Sequence, residues 1–212
     1  DRWGNPAEQY RGTVTVSAPG LILPDGNDLK FGEDDAGVRR IDDAVFTEAG
    51  ATRIDLEDAA NGLTASSNQI QIARELPALK LYWGDPHSGQ IADASKIGDY
   101  FRYAKEVSAL DFAGYQRNDS AHSTDDYHHQ QSEEKVFHEP GRFVPLPGFE
   151  WSGNLAAGGH HNVYFGRFDL PMKRWNGAER LGRPDETDLP HVRDLHNYYR
   201  GTDTVITPHV GG

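Results

Sequence analysis

Short β-prone runs, separated by turn signals, make up the first third of the chain. Residues 11–17 (Arg-Gly-Thr-Val-Thr-Val-Ser) alternate between apolar and polar side chains, with the period of two that is typical of a half-buried strand. The same period recurs at residues 67–73, and Asn61-Gly62 provides a turn before it. Several short strands at this spacing predict a small all-β, sandwich-like domain over residues 1–76.

Beyond Pro77 the chain changes from short β-prone runs alone to β-prone runs that alternate with segments of helical spacing. Pro77 removes a backbone donor and restricts the residue before it, so we expect a linker there. Residues 79–83 and 110–115 are apolar and β-prone, and the segment between them carries apolar residues at helical spacing. Alternation of strands with helices is typical of α/β folds. We therefore expect a second, α/β domain over residues 78–212.

Composition and net charge exclude some kinds of site and oppose some kinds of partner. The chain has no cysteine, which excludes disulfides and thiolate metal sites. No apolar run approaches the roughly 20 residues of a membrane-spanning helix. The formal net charge of −12 opposes nucleic-acid binding, whereas a small anionic substrate stays compatible because a bound metal can invert the local field. The start at Asp1 fits either an incomplete chain or a mature protein without its signal peptide; for the latter we expect a periplasmic or secreted location.

Imidazole and carboxylate groups recur beside the β-prone runs of the second domain. His87, Glu150 and His209 come soon after such runs, and in α/β folds functional groups collect beyond the C-terminal ends of strands. His160 and His161 stand instead at the start of a run, behind two glycines. These residue types bind zinc, manganese or iron in proteins. Spacing alone leaves open whether they bind metal or are structural.

Other chemistries find less support. The chain has neither a phosphate-binding nor a dinucleotide fingerprint, and no serine lies in a nucleophile elbow. Asp119 and His122 follow a predicted strand and are candidate catalytic residues. We expect the remaining histidines to be exposed or structural: His128, His129, His138, His191 and His196.

Five motifs occur in an order that resembles a known family. They are Leu81-Tyr-Trp-Gly-Asp-Pro-His87, Leu110-Asp-Phe112, Pro140-Gly-Arg-Phe-Val144 with Gly148-Phe-Glu-Trp151, Gly159-His-His-Asn-Val-Tyr-Phe165, and Pro208-His209. The set resembles the DUF3604 family, a branch of the PHP (polymerase and histidinol phosphatase-like) superfamily of metal-dependent phosphoesterases. The resemblance covers roughly residues 80–212, and the β-rich segment before them looks like the sandwich-type region that many members carry.

The resemblance implies a distorted (β/α)7 barrel with a two- or three-metal centre at its C-terminal rim. His87 matches the first histidine of the family's His-x-His motif, Glu150 the bridging carboxylate and His209 a later histidine ligand. Either His160 or His161 matches the histidine of the fourth segment, and His160 is favoured. Since a βαβ unit takes roughly 30 residues, the chain supplies an incomplete barrel, which a second chain or a further segment would complete.

Two positions depart from the family pattern within the chain, and a third lies past its end. Gly89 stands where the second histidine of the first motif is expected. The expected Asp-His pair is replaced by Tyr115-Gln-Arg-Asn-Asp119, so Asp119 or His122 would have to substitute. The last Asp-x-His ligands would lie beyond Gly212.

The sequence thus predicts a metal-dependent hydrolase of the PHP type, a phosphoesterase that uses a metal-activated water. Its cofactors would be divalent zinc, manganese or iron, more than one ion if the site is intact. Its partner would be a small, anionic substrate. Two alternatives stay open: a degenerate PHP-like binding or assembly component, and a metal hydrolase of carbon–nitrogen or carboxylic ester bonds.

Overall fold

The chain folds into two compact units, Asp1–Leu81 and Tyr82–Gly212. The structure, a computed structural model, describes residues 5–75, 78–88, 91, 93–177 and 188–209. The linker expected at Pro77 lies outside the described residues. Each unit is described separately below.

The described part of the first unit is all β. Its strands are β1 (Thr13–Ser17), β2 (Leu21–Ile22), β3 (Asp28–Lys30), β4 (Val45–Phe46), β5 (Gly50–Thr52), β6 (Asp55–Asp58), β7 (Leu63–Ser66) and β8 (Ile70–Ile72). They form an antiparallel four-stranded sheet in the order β3-β1-β6-β7 and two separate pairs, β2-β4 and β5-β8. Val16, Leu23 and Leu29 form a small core. One sheet with two pairs therefore takes the place of the expected sandwich.

The second unit combines helices with two three-stranded sheets in its described part. The helices are α1 (Ile97–Arg102), which a π-helical turn extends over Tyr103–Val107, α2 (Thr124–Phe137) and α3 (Val192–Tyr198). The strands are β9 (Gly84–Ser88), β10 (Phe112–Tyr115), β11 (Val144–Pro145), β12 (Gly148–Ser152), β13 (His160–Phe165) and β14 (Thr204–Pro208). One sheet is parallel, in the order β11-β10-β9, and the other is antiparallel, in the order β12-β13-β14.

The prediction of a (β/α)7 barrel, incomplete or not, is wrong. The described strands form small sheets that do not close into a barrel. Only residues 153–159 join β12 to β13, whereas a parallel crossover needs a dozen residues or more. β12 and β13 therefore pair as an antiparallel hairpin, and β14 continues the meander. The predicted strand at residues 79–83 is also displaced, because Leu81 and Trp83 are exposed and β9 begins at Gly84.

The helices cover apolar faces of these sheets. Ile97 and Phe101 of α1 are buried with Ala113 and Tyr115 of β10. Ser123 begins α2 with a capping box, in which its side chain accepts a hydrogen bond from the backbone of Asp126 and the Asp126 carboxylate accepts one in return. None of the helices in the described part of the chain has the length and apolar character needed to cross a membrane.

The antiparallel sheet has one apolar and one polar face, because successive side chains of a strand point to opposite sides. Phe149 and Trp151 alternate with Glu150, and Val163 and Phe165 alternate with polar residues of β13. The apolar face packs on residues from α2, α3 and the loop that follows β13: Tyr127, Leu170, Leu195 and Tyr199. Burial of this face holds the register of the sheet and leaves the polar residues together on the opposite face.

Candidate metal centre

Two histidines and one glutamate of the second unit converge on one point. His87, Glu150 and His209 each offer a ligand atom, and these atoms all lie within 4.8 Å of one another. His87 lies within β9, Glu150 at the middle of β12 and His209 directly after β14. The structure thus brings together three of the residues for which the sequence suggested a metal role.

An irregularity in β9 accompanies the placement of His87. From Ala113 to Tyr115 the strand β10 advances two residues, whereas β9 advances three, from Asp85 to Ser88. The extra residue makes a β-bulge, a device that re-aims side chains, and Pro86 is tolerated there because β9 is an edge strand. A Cβ atom added to Gly114 would lie 2.5 Å from the Pro86 carbonyl oxygen, so the glycine permits this close approach.

The position of His209 follows from the ladder between β13 and β14. Its backbone N–H donates to the His160 carbonyl at 2.9 Å, which continues the ladder one residue beyond β14. The His209 ring then lies against the ring of His87, with centroids 4.2 Å apart. His87, in the edge strand of the parallel sheet, and His209, directly after the edge strand of the antiparallel sheet, therefore belong to the same group.

Glu150 is a buried carboxylate, and among the described residues the side chain of His160 forms a hydrogen bond with it. Glu150 is 3% exposed, and its Oε1 atom lies 2.6 Å from His160 Nδ1. Its Oε2 atom lies 3.6 Å from His87 Nε2, which is too long for a hydrogen bond. A buried carboxylate is costly unless it is compensated by hydrogen bonds, by a cation or by protonation. A cation between Glu150 and His87 would supply such compensation.

His160 and His161 point to opposite faces of the sheet, because they are successive residues of one strand. His160 lies on the face of Glu150, whereas the buried His161 lies on the apolar face, where its ring contacts those of Trp151 and His196. The His161 Nδ1 atom is 3.1 Å from the Gly159 carbonyl oxygen, and burial lowers the pKa of this imidazole. His160 supports the group through Glu150, and His161 contributes to the core.

Asp119 is not a member of the three-residue group, and its carboxylate binds backbone N–H groups. Its two carboxylate oxygens accept hydrogen bonds from the N–H groups of Ser152, at 3.1 Å, and Trp175, at 2.6 Å. Burial raises its pKa to about 6, against these hydrogen bonds. Asp119 thereby ties the end of β12 to the loop at Trp175, which is a structural task.

His122 is likewise buried and is not a member of the group. Its ring makes edge contacts with those of Tyr115 and Tyr127, and neither ring nitrogen has a well-formed hydrogen bond among the described residues. Burial lowers the pKa of His122 to about 4, against a smaller opposing effect of the Asp126 backbone. The ring is therefore neutral at pH 7. Neither His122 nor Asp119 belongs to the group that His87, Glu150 and His209 form among the described residues.

Sequence reasoning missed two polar residues that share the face of Glu150. Asn162 pairs directly with Glu150 across the β12–β13 ladder, and Tyr164 follows two positions later. The pKa of Tyr164 is raised by burial and by the charges of Asp85 and Glu150, and the side chain of Asn162 hydrogen-bonds its hydroxyl. The sequence did contain a signal for them. Polar residues at every second position, His160, Asn162 and Tyr164, indicate one polar face of a strand.

The donor set fits a divalent transition metal. Two imidazoles and one carboxylate are the ligands of several catalytic zinc sites, which keep a further position for water or substrate. His87 Nδ1 is buried without a hydrogen-bond partner among the described residues, so this nitrogen can still bind an ion or a polar group. Gly89, where the family pattern places another histidine, lies outside the described residues. The arrangement can hold one ion through His87, Glu150 and His209.

Comparisons with known protein families, with curated proteins and with solved structures find no match to this chain.

Proposed function

We propose that this chain binds one divalent transition-metal ion and is a metal-dependent hydrolase. The observation that carries the proposal is the convergence of His87, Glu150 and His209, a buried carboxylate and two imidazoles whose ligand atoms all lie within 4.8 Å of one another. When bound, such an ion supplies Lewis acidity toward an ester or phosphoryl oxygen and lets water act as a nucleophile near neutral pH.

The protein's own residues prepare this chemistry. Glu150 supplies the negative charge that favours cation binding, and His160 holds one of its oxygens at 2.6 Å. A supporting contact of this kind fixes the orientation of a ligand and raises metal affinity. The antiparallel sheet holds Glu150 and His209 through backbone ladders, and rigid elements position functional groups more accurately than loops do.

The proposed substrate is a small phosphoester, the class implied by the family that the motifs resemble. The net charge of −12 weakens the attraction of any polyanion, which supports a small molecule over a nucleic acid. Carboxylic ester and amide hydrolysis use the same metal-dependent chemistry, so they form the first alternative.

A non-catalytic binding role is the second candidate, and one observation favours it. The group of possible metal ligands among the described residues has three members, His87, Glu150 and His209, and includes neither Asp119 nor His122. A centre with fewer ligands than the family pattern can retain a metal without turning over a substrate.

Hydrolysis assays with matched esters test the proposal. The full chain would be incubated with p-nitrophenyl phosphate, bis-p-nitrophenyl phosphate and p-nitrophenyl acetate, each with Mn²⁺, with Zn²⁺ and with chelator. We expect metal-dependent release from a phosphate ester that Glu150→Gln abolishes. Release from the acetate alone would support the carboxylic ester alternative. No metal-dependent release from any ester would contradict hydrolysis and favour the binding role.

A further inference from the structure

Asn162 is a buried polar residue beside the candidate centre, and the proposed ligand set does not use it. The side chain is 6% exposed, and its Oδ1 atom has no hydrogen-bond partner among the described residues. Leaving a buried acceptor unpaired costs about 1 to 3 kcal/mol, so each such group requires an explanation, such as a water or an ion.

The register of the sheet directs Asn162 toward the centre. Asn162 pairs directly with Glu150 on one side and with Thr207 on the other. Residues directly opposite each other in an antiparallel pair point to the same face, with Cβ atoms about 4.5 to 5.5 Å apart. The Asn162 side chain therefore lies beside the Glu150 carboxylate, on the face that presents the proposed ligands.

Within the described part of the chain, the unpaired atom of the Asn162 side chain is its carboxamide oxygen. This oxygen is an uncharged donor of electron pairs, the kind of group that a metal ion can bind. It lies on a residue directly opposite the Glu150 carboxylate.

We infer that Asn162 Oδ1 is a fourth protein ligand of the metal ion, beside His87, Glu150 and His209. This inference rests on the proposed metal site and specifies its donor set. Carbonyl and carboxylate oxygens suit manganese better than soft or purely imidazole sites do. The amide oxygen accordingly shifts the selectivity of the centre toward Mn²⁺ relative to Zn²⁺, although zinc remains the tighter-binding ion in the general order of affinities.

Equilibrium metal binding by calorimetry tests this inference without an activity assay. Mn²⁺ and Zn²⁺ would be titrated separately into the full metal-free chain, as wild type, Asn162→Leu and Asn162→Asp. We expect Asn162→Leu to lower Mn²⁺ affinity by about tenfold or more, and Zn²⁺ affinity by a smaller factor. Asn162→Asp retains an oxygen and adds a charge, so it is expected to raise Mn²⁺ affinity.

Asn118→Ala is the matched control. Asn118 is another asparagine beside β12, and its amide already donates to Ser152 Oγ at 3.0 Å. Its removal is expected to change both metal affinities by less than the loss of Asn162 does. The Co²⁺ absorption spectrum gives a second readout, since losing a ligand changes the bands whereas losing an amide that is hydrogen-bonded to Ser152 does not.

The outcomes separate this inference from the proposed function. Unchanged Mn²⁺ affinity and an unchanged Co²⁺ spectrum in Asn162→Leu, with wild type binding metal, would overturn the ligand role and leave the metal site intact. A wild type that binds no metal would overturn both. If Asn162→Leu fails to fold, Asn162→Asp decides, because a variant with wild-type Mn²⁺ affinity and spectrum contradicts the ligand role.

Discussion

The imidazole of His87 and the carboxylate of Glu150 face each other with His87 Nε2 3.6 Å from Glu150 Oε2. The two residues belong to different sheets, and a bridge between Asn118 and Glu150 connects the end of β10 to β12. Their separation is too long for a hydrogen bond and short enough for both groups to share one small cation. The predictions below follow from this relationship and from the contacts that support it.

Removing the charge of Glu150 should abolish tight metal binding. Glu150→Gln keeps the size of the side chain but loses the anion that compensates the ion. We expect calorimetry to show a loss of affinity above the roughly 10- to 100-fold seen when supporting residues are removed. Glu57→Gln, at an exposed position of β6, is the matched control and should bind as wild type does. Equal affinities in all three chains would argue against Glu150 as a ligand.

Adjacent histidines should give opposite phenotypes. His160→Ala removes the hydrogen bond to Glu150 Oε1, so metal affinity should fall by about 10- to 100-fold. His161→Ala removes a ring buried against Trp151, so it should lower thermal stability and leave metal affinity near the wild-type value. Calorimetry and thermal unfolding of both variants check this pair. The reverse pattern would mean that His161, and not His160, serves the centre.

Asp119 should matter for stability rather than for metal content. Asp119→Ala leaves two N–H groups without their acceptor, those of Ser152 and Trp175, and should cost about 2 to 4 kcal/mol of unfolding free energy. Denaturant unfolding measures this cost, and Asp99→Ala, at an exposed site, should change it by less than about 0.5 kcal/mol. Loss of metal from a variant that stays fully folded would return Asp119 to the list of ligands.

The free energy of unfolding should fall as the pH rises, because the buried acid Glu134 holds a proton in the folded state. Burial raises the pKa of Glu134 from 4.5 to about 8. The folded protein keeps this proton over a range in which the unfolded chain has lost it. The contribution of Glu134 to stability is therefore complete below pH 4.5 and is lost as the pH rises through 8, by about 1.4 kcal/mol per pH unit between these values.

Glu134→Gln isolates this effect. Denaturant unfolding is measured between pH 6.5 and 8. This range lies above the raised pKa of Asp119, about 6, and above the ordinary value of 6.5 from which burial lowers the pKa of His122 to about 4, so neither group dominates the slope. In this range the wild type should lose stability with rising pH, and Glu134→Gln should lose markedly less. Glu133→Gln, one position earlier on α2, should retain the wild-type slope. Parallel slopes for the wild type and Glu134→Gln would show that Glu134 is ionised in the folded state.

The sequence predicts the members of the candidate centre better than it predicts the fold around them. His87, Glu150 and His209 were recognisable because ligand types recur beside apolar runs. The distinction between His160 and His161 required the register of β13, which places only one of them on the face of Glu150. A pattern with a period of two shows which residues of a strand share a face. It does not show which face is buried until the elements that pack against the strand are known.

The barrel prediction failed because strand and helix patterns do not report strand direction. β12 and β13 were both recognisable as β-prone runs, but the short connection at residues 153–159 makes their pairing antiparallel. The bulge at Pro86 and His87 depends on pairing with β10, and so could not be read from local sequence. Asp119 is a candidate catalytic residue because it follows a predicted strand, but a carboxylate in that position can also bind backbone N–H groups, as it does here, and the sequence does not distinguish the two.

Metal content of the purified chain tests the central claim most directly. The protein would be purified without chelator, dialysed against Mn²⁺ or Zn²⁺ and analysed by inductively coupled plasma mass spectrometry beside Glu150→Gln. The account predicts one bound ion for each wild-type chain, lost in the variant. A wild type that retains no stoichiometric metal under either condition, or a Glu150→Gln variant that retains as much as the wild type, would contradict it.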